Sequence, residues 1–340
     1  MSDSCLLPEF NSREAAAMAK RLYGLQGPMC RLAGERDLNF LITDAAGKFV
    51  FKIANAEESW EMLDCQHRVF ELLAAKRVFP RVACAFESVG GREIETVEDA
   101  SGRQHYCRVL PFVEGRVWSE LEQSSAELLF DLGARLGALD RALSGFEHPG
   151  LKRPLLWNME ITGAALEKYK PMLASDEDRS LVEHFESGYR ERVLPRQQML
   201  RRGVIHNDAN RNNVLVDDEG RHVQSVIDFG DMLESWLLLE PAIAATYAMH
   251  GAADPLASAA AVAAGYHSEM KLDEAELALL FDLIGMRLCM SLCLAAHQQS
   301  LQPDNDYLGI DVQNNRELMR RLRPVSAAEA SERIMIACRG

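Results

Sequence analysis

The chain is short of positive charge. Against 51 Asp and Glu it sets only 37 Lys and Arg in 340 residues, a net charge of −14. With an isoelectric point of 5.2, it is not built as a general binder of nucleic-acid backbones, which relies on clustered basic side chains that release counterions. A cationic small molecule is easier to accommodate. The eight cysteines form no CxxC pair and no zinc-like spacing with histidines, so they read as reduced thiols. The start, MSDSCLLPEF, lacks a basic region followed by an apolar core, and no later run reads as reaching membrane-spanning length. No membrane partner is therefore expected, and the cytoplasm is the default location. Internal repeats and low-complexity tracts are missing too, and nothing in the sequence speaks to oligomeric state.

What is present is a globular chain, 48% hydrophobic, long enough for roughly two domains or one bilobed body. Its first third reads as a small α/β unit of five strands and an intervening helix. A helix is expected from Ser12 to Tyr23, followed by strands at Met29–Ala33, Asn39–Thr43 and KFVFKIAN. Asn55 could cap the next helix with Glu58 reaching back, and the spacing of Leu63, Phe70 and Leu73 gives that helix one buried face. Pro80 ends it. The runs RVACAFESV, REIETVE and HYCRVLPFV supply the remaining strands. Long helices follow Trp118: Ser119–Ser144, Ile161–Leu173, Asp176–Val193 and Ala-rich segments beyond Trp236, with Ser326 and Glu329 as a capping box for the last. The division is an N-terminal lobe over residues 1–110, a hinge over 111–117 and a helical lobe over 118–340.

Inside the helical part, VIHNDANRNNVLV sets a polar stretch, His206 to Asn213, between two strand-forming runs. Asn and Asp favour turns and local backbone hydrogen bonds, so the interruption needs a reason. The run NVLV, the turn DDEG and RHVQSVIDFGD read as a hairpin that brings Asn213 beside Asp228. An amide oxygen and a carboxylate meeting there suit a hard divalent cation such as Mg2+, with phosphate oxygens and water completing its shell. Asp208, five residues earlier in the same loop, is then placed to orient a hydroxyl and take its proton.

The set His206-x-Asp208-x4-Asn213 followed by Asp228-Phe229-Gly230 resembles the catalytic and metal loops of the protein-kinase-like fold. More specifically it is similar to the aminoglycoside phosphotransferase and choline kinase family, over residues 12–320. Within that family, ERDLNFLI, VFKIAN, VIHNDANRNNVLV, IDFGDM and PDNDYL look most like hydroxylysine kinases. The resemblance implies an α+β, bilobed fold, with a small five-stranded antiparallel N-lobe carrying one main helix and a larger helical C-lobe carrying the catalytic hairpin. It implies Asp208 as catalytic base, Asn213 and Asp228 as Mg2+ ligands, and Lys52 on the nucleotide phosphates. Leu110 to Val113, including Phe112, would be the hinge that meets the base of ATP or GTP, and the turn of Gly34, Glu35, Arg36 and Asp37 would cover the phosphates. His206, grouped with Asp208 in the catalytic loop, is expected to hold that loop by hydrogen bonds.

Three departures from the family pattern stand out. The Gly-rich GxGxxG loop is absent, Asn207 stands where Gly is common, and Gln66 occupies the helix position that is usually acidic, so a Lys52–acid ion pair is missing unless Asp64 or Glu61 supplies it. For the acceptor, Asp231, Glu234 and Glu240 form either an acidic wall suited to an ammonium group or carboxylates favoured near helix N-termini. Arg287, in the apolar stretch LIGMRLCMSLCLAA, either pairs with a carboxylate such as Glu240 or clamps a substrate carboxylate. The expected activity is phosphoryl transfer to a hydroxyl of an amino-bearing metabolite, a cationic amino acid such as 5-hydroxylysine first. Homoserine, choline or ethanolamine, and aminoglycosides follow, with a catalytically decayed nucleotide-binding module as the non-enzymatic alternative.

Overall fold

The computed structural model describes residues 8–34, 36–301 and 308–339. Cys5, Glu35 and residues 303–307 of the PDNDYL motif lie outside the described residues. The chain divides into two compact units, Met1–Glu114 with Glu147–Leu151, and Gly115–Phe146 with Lys152–Gly340.

Period-two alternation builds the first unit. Strands β1 (Met29–Leu32), β2 (Leu38–Asp44), β3 (Gly47–Ile53), β4 (Glu95–Glu98) and β5 (Gln104–Pro111) form one sheet in the order β1-β2-β3-β5-β4. Every neighbouring pair is antiparallel. Leu38, Phe40 and Ile42 of β2 and Phe49, Phe51 and Ile53 of β3 share one core with Ala15, Met18 and Ala19 of helix α1 (Ser12–Tyr23). The N-terminus of α1 is set by a capping box between Asn11 and Glu14, and its end by Gly24 at φ 71°. Side chains on the opposite face of the sheet, Lys52 and Arg108 among them, look toward helix α2 (Trp60–Ala75), whose Gln66 accepts a hydrogen bond from Arg108.

Two expectations for this unit fail. Ser59, not Asn55, caps α2, accepting from the backbone N–H of Met62. Asn55 is instead held by the carboxylate of Asp37, which accepts from both its backbone and its side-chain nitrogen. The run RVACAFESV forms no strand and makes only a bridge from Phe86 to Val109. β4 pairs with the Gln104–Cys107 part of that edge of β5, and the run reaches the remainder only at Val109.

The second unit carries strands β6 (Arg116–Val117), β7 (Arg202–Ile205), β8 (Val214–Val216), β9 (Val223–Val226) and β10 (Leu233–Trp236). Its helices are α3 (Ala126–Ala142), α4 (Thr162–Tyr169), α5 (Asp176–Gly188), α6 (Leu239–Met249), α7 (Pro255–Glu269), α8 (Glu274–Leu277), α9 (Leu280–Leu301), α10 (Leu308–Leu322) and α11 (Ala327–Arg339). Helix α3 starts later than expected, at a Ser125 cap, and α5 ends at Gly188 where a π turn takes over. The expected hairpin is present as β8 and β9, joined antiparallel. Ser326 accepts from the backbone N–H of Glu329 at the start of α11. Contrary to the sequence reading, α9 is long and apolar enough to cross a membrane, but 78% of that stretch is buried within the fold. Cys289 and Cys293 are part of that burial, and the seven described cysteines are free thiols.

Candidate active site

β7 ends at Ile205 and delivers the chain into the loop His206–Asn213. Three supports hold this loop. The first is Glu240 of α6, fully buried, whose Oε2 accepts the backbone N–H of His206 and that of Asn207, the latter at 3.3 Å. Burial pushes the Glu240 carboxyl up to about 7. The second is His206 itself, also fully buried: Nδ1 accepts from the backbone N–H of Asp208 at 3.2 Å, so Nε2 carries the hydrogen and donates to the carbonyl of Ile227 at 3.0 Å. Burial lowers the imidazole to about 4 and keeps it neutral. The third is the Asn side chains: Asn210 Oδ1 accepts from the backbone N–H of Asn212 at 2.8 Å, turning the chain toward β8. The polar interruption is therefore a loop whose backbone is satisfied by its own side chains and by Glu240.

Asn207 adopts φ 66° and is 1% exposed. The left-handed region explains the residue choice, since Gly enters it freely and Asn is the best-tolerated alternative.

Asp208 sits half-buried within this frame. Its Oδ2 accepts from Asn210 Nδ2 at 2.9 Å and from Asn213 Nδ2 at 2.7 Å, while Oδ1 faces Arg287 Nη2 at 3.4 Å. Burial raises the carboxyl to about 7, with the Arg287 charge opposing the shift. Asn213 Nδ2 also donates to the Asp208 carbonyl at 3.0 Å. With the amide nitrogen committed to Asp208, the Asn213 oxygen is the atom suited to a cation. The carbonyl of Asn213 accepts from Ile227, which brings Asp228 alongside. Asp228 is exposed, adopts φ 62°, and opens the short turn Phe229–Asp231. Among the described residues no group of three or more His, Cys, Asp or Glu could hold a metal alone. An amide oxygen plus one carboxylate fits a hard cation that takes its other ligands from phosphate and water.

The residues expected to read the acceptor are placed unequally. Asp231 is half-buried and lies within electrostatic reach of Asp208 and Arg287. Glu240 lies beneath the loop and cannot form an acidic wall, and Glu234 points outward to Arg202 at 3.5 Å with half its surface exposed. Arg287 on α9 is 2% exposed and meets Asp208 rather than pairing with Glu240. Its guanidinium lies 4.5 Å from the Trp157 ring centroid and 5.8 Å from that of Tyr247, whose hydroxyl accepts from Nη2 at 3.1 Å. Sequence reasoning missed Trp157 and Tyr247. The second had a signal: Tyr247 follows Glu240 by seven residues on α6, two turns along one face.

In the first unit, Lys52 is half-buried on β3 and, among the described residues, has no ion pair. Asp64 is engaged by Arg68 at 3.1 Å and His148 at 3.1 Å, and Gln66 by Arg108. Leu110 is buried at the end of β5, and Phe112 donates its backbone N–H to Lys48 at 2.9 Å. Arg36 is exposed. Gly34 is a steric necessity, because a Cβ there would meet the Asp37 carbonyl at 2.7 Å.

Residues 30–280 match the family described as "Phosphotransferase enzyme family". The chain belongs to this phosphotransferase family. Phosphoryl transfer is therefore its chemistry, as the loop sequence implied. Among curated phosphotransferase relatives, mouse hydroxylysine kinase is 29% identical over 345 residues, covering 94% of this chain and 91% of that one. Of solved structures, a microcompartment-associated aminopropanol kinase superposes with a TM-score of 0.73 at 16% identity, over 95% of this chain and 100% of the other. An amicoumacin kinase in complex with AMP-PNP, Ca2+ and Ami gives 0.70 at 20% identity, over 92% and 94%. These likenesses establish the kinase-like α+β fold.

Proposed function

We propose that the protein transfers the γ-phosphate of a Mg2+-bound nucleoside triphosphate, ATP or GTP, to the hydroxyl of an amino-bearing small molecule, with 5-hydroxylysine as the first acceptor. The observation that carries the reading is the division of labour on Asp208: Oδ2 is saturated by Asn210 and Asn213, and Oδ1 has only a long contact to Arg287. Oδ1 is the oxygen available to a substrate hydroxyl. As the acceptor oxygen bonds to the γ-phosphorus and the bond to the leaving nucleoside diphosphate breaks, Oδ1 takes the hydroxyl proton. Asn213 and Asp228 would hold Mg2+, which when bound neutralises phosphate charge. Lys52 would contact the nucleotide phosphates, with Arg36 near them and Leu110 and Phe112 near the base. His206 orients the loop, since it is neutral and both ring nitrogens are in use.

Three further points support the acceptor class. The curated relatives matched over most of the chain are hydroxylysine kinases, the aminopropanol kinase also carries an amine in its substrate's name, and Asp231 offers a carboxylate near Asp208 for an ammonium group. The free thiols fit a reducing compartment, and we assign the cytoplasm on that ground. The test is a screen with ATP and GTP against 5-hydroxylysine, homoserine, choline, ethanolamine and an aminoglycoside, scored by nucleoside diphosphate release. Hydroxylysine should rank first; best turnover of choline or an aminoglycoside would leave a phosphotransferase with a different acceptor.

A further inference from the structure

Arg287 was expected either to pair with a carboxylate such as Glu240 or to clamp a substrate carboxylate; it pairs with Asp208 in place of Glu240, and its surroundings do not suit a clamp. A clamp needs donors that a ligand can reach. Nε and Nη1 have no hydrogen-bond partner, but they are enclosed by protein and expose no surface. Nη2 is already committed to the Tyr247 hydroxyl at 3.1 Å and to Asp208 Oδ1 at 3.4 Å. A purely structural arginine would be saturated by its partners, because each unsatisfied buried donor carries a desolvation cost. This one tolerates two unsatisfied donors while keeping a third beside a single carboxylate oxygen.

We propose that Arg287 is a positioning residue for Asp208: braced by Trp157 and Tyr247, it fixes the carboxylate so that Oδ1 faces the acceptor hydroxyl, and it makes no contact with substrate. The bracing is what gives the guanidinium a single orientation. The Trp157 ring lies 4.5 Å from it and the Tyr247 ring 5.8 Å, and such cation–π contacts fix a cation over the ring face. On the far side of the carboxylate, Asn210 and Asn213 hold Oδ2 at 2.9 and 2.7 Å. The carboxylate is thus gripped firmly through one oxygen and loosely through the other. A charge-assisted hydrogen bond at full strength measures about 2.7–2.9 Å, so the 3.4 Å contact leaves Oδ1 open to a hydroxyl while keeping the group from rotating. The arrangement rests on Asp208 being the base.

The test uses the full chain with 5-hydroxylysine and with 1,5-diaminopentan-2-ol, which keeps the hydroxyl and both amines but lacks the carboxylate. Arg287→Met should lower kcat by about 10²-fold on both acceptors, the order expected when a reacting group is displaced by about an ångström, with KM for nucleotide unchanged. Arg287→Lys should recover part of kcat, and Tyr247→Phe, which keeps the ring and the charge but removes the hydroxyl that holds Nη2, should lower kcat by about tenfold with unchanged KM. A rise in KM confined to 5-hydroxylysine, with normal turnover of the decarboxylated analogue, would make Arg287 a carboxylate clamp and overturn the proposal. Unchanged kcat in both Tyr247→Phe and Arg287→Lys would also overturn it. If the intact protein does not turn over 5-hydroxylysine, the acceptor assignment fails; the kcat and KM split is then read on whichever acceptor of the screen it does phosphorylate.

Discussion

Asn213 Nδ2 lies 2.7 Å from Asp208 Oδ2, so the residue assigned to the cation also steadies the residue assigned to the proton. Substitution at 213 therefore has two consequences. Asn213→Ala should raise the magnesium concentration needed for half-maximal activity, and added magnesium should restore only part of kcat, because the support of Asp208 is not replaced. Asp228→Ala, which removes the charged ligand of a hard-cation site, should not recover at any magnesium concentration. A magnesium titration of both variants checks this; full recovery of Asn213→Ala would separate the two roles.

Glu240 anchors the catalytic loop by accepting two backbone N–H groups from full burial. Glu240→Ala should strip both donors of their acceptor at about 1–3 kcal/mol each and lower the melting temperature by several degrees. Glu240→Gln keeps a carbonyl oxygen in place and should lower it far less. Neither variant should reorder the preference among acceptors, and calorimetry combined with the acceptor screen reads both effects.

The same carboxyl gives a pH signature. Burial raises Glu240 to about 7 in the folded protein, above the usual carboxylate value near 4.3 in an unfolded chain. Between those limits the folded state holds the proton more tightly, so the Glu240 contribution to stability is full below the unfolded value and is lost as pH rises toward 7. The melting temperature of Glu240→Gln relative to the unaltered protein should accordingly rise from about pH 4.5 to 7 and level off above. A flat difference across that window would mean that Glu240 is ionised throughout.

Asn207 at φ 66° yields a backbone prediction. Asn207→Gly should keep both stability and turnover close to normal, whereas Asn207→Val forces a β-branched residue into the left-handed region and should destabilise by at least the roughly 1–2 kcal/mol of that conformation. Urea unfolding of the two variants compares them directly.

Local pattern carried much of this structure into the sequence. The alternation of Phe49, Phe51 and Ile53 against Lys52 marked β3 and the face on which its lysine lies, and the turn DDEG between two strand-forming runs marked the hairpin that brings Asn213 toward Asp228. What failed depended on competition or on distance. RVACAFESV has strand-forming residues, but it meets β5 only through the Phe86–Val109 bridge, beside the stretch that pairs with β4. Asn55 has capping chemistry, but Asp37 captures it from 18 residues away. Glu240 read as part of an acidic wall or as a helix N-terminal carboxylate, whereas it accepts the backbone N–H groups of a loop that lies 34 residues earlier. Arg287 meets Asp208 across 79 residues of sequence, a pairing that no periodicity encodes.

The most direct measurement is the turnover of Asp208→Asn with 5-hydroxylysine and Mg2+-nucleotide, taken together with nucleotide affinity by titration. Asn keeps the shape of the side chain and a hydrogen-bonding oxygen but cannot take a proton, and a positioned base contributes roughly 10²–10⁴-fold. The account expects kcat to fall by that factor while nucleotide binding and melting temperature stay near those of the unaltered protein. Turnover close to normal in that variant would contradict it.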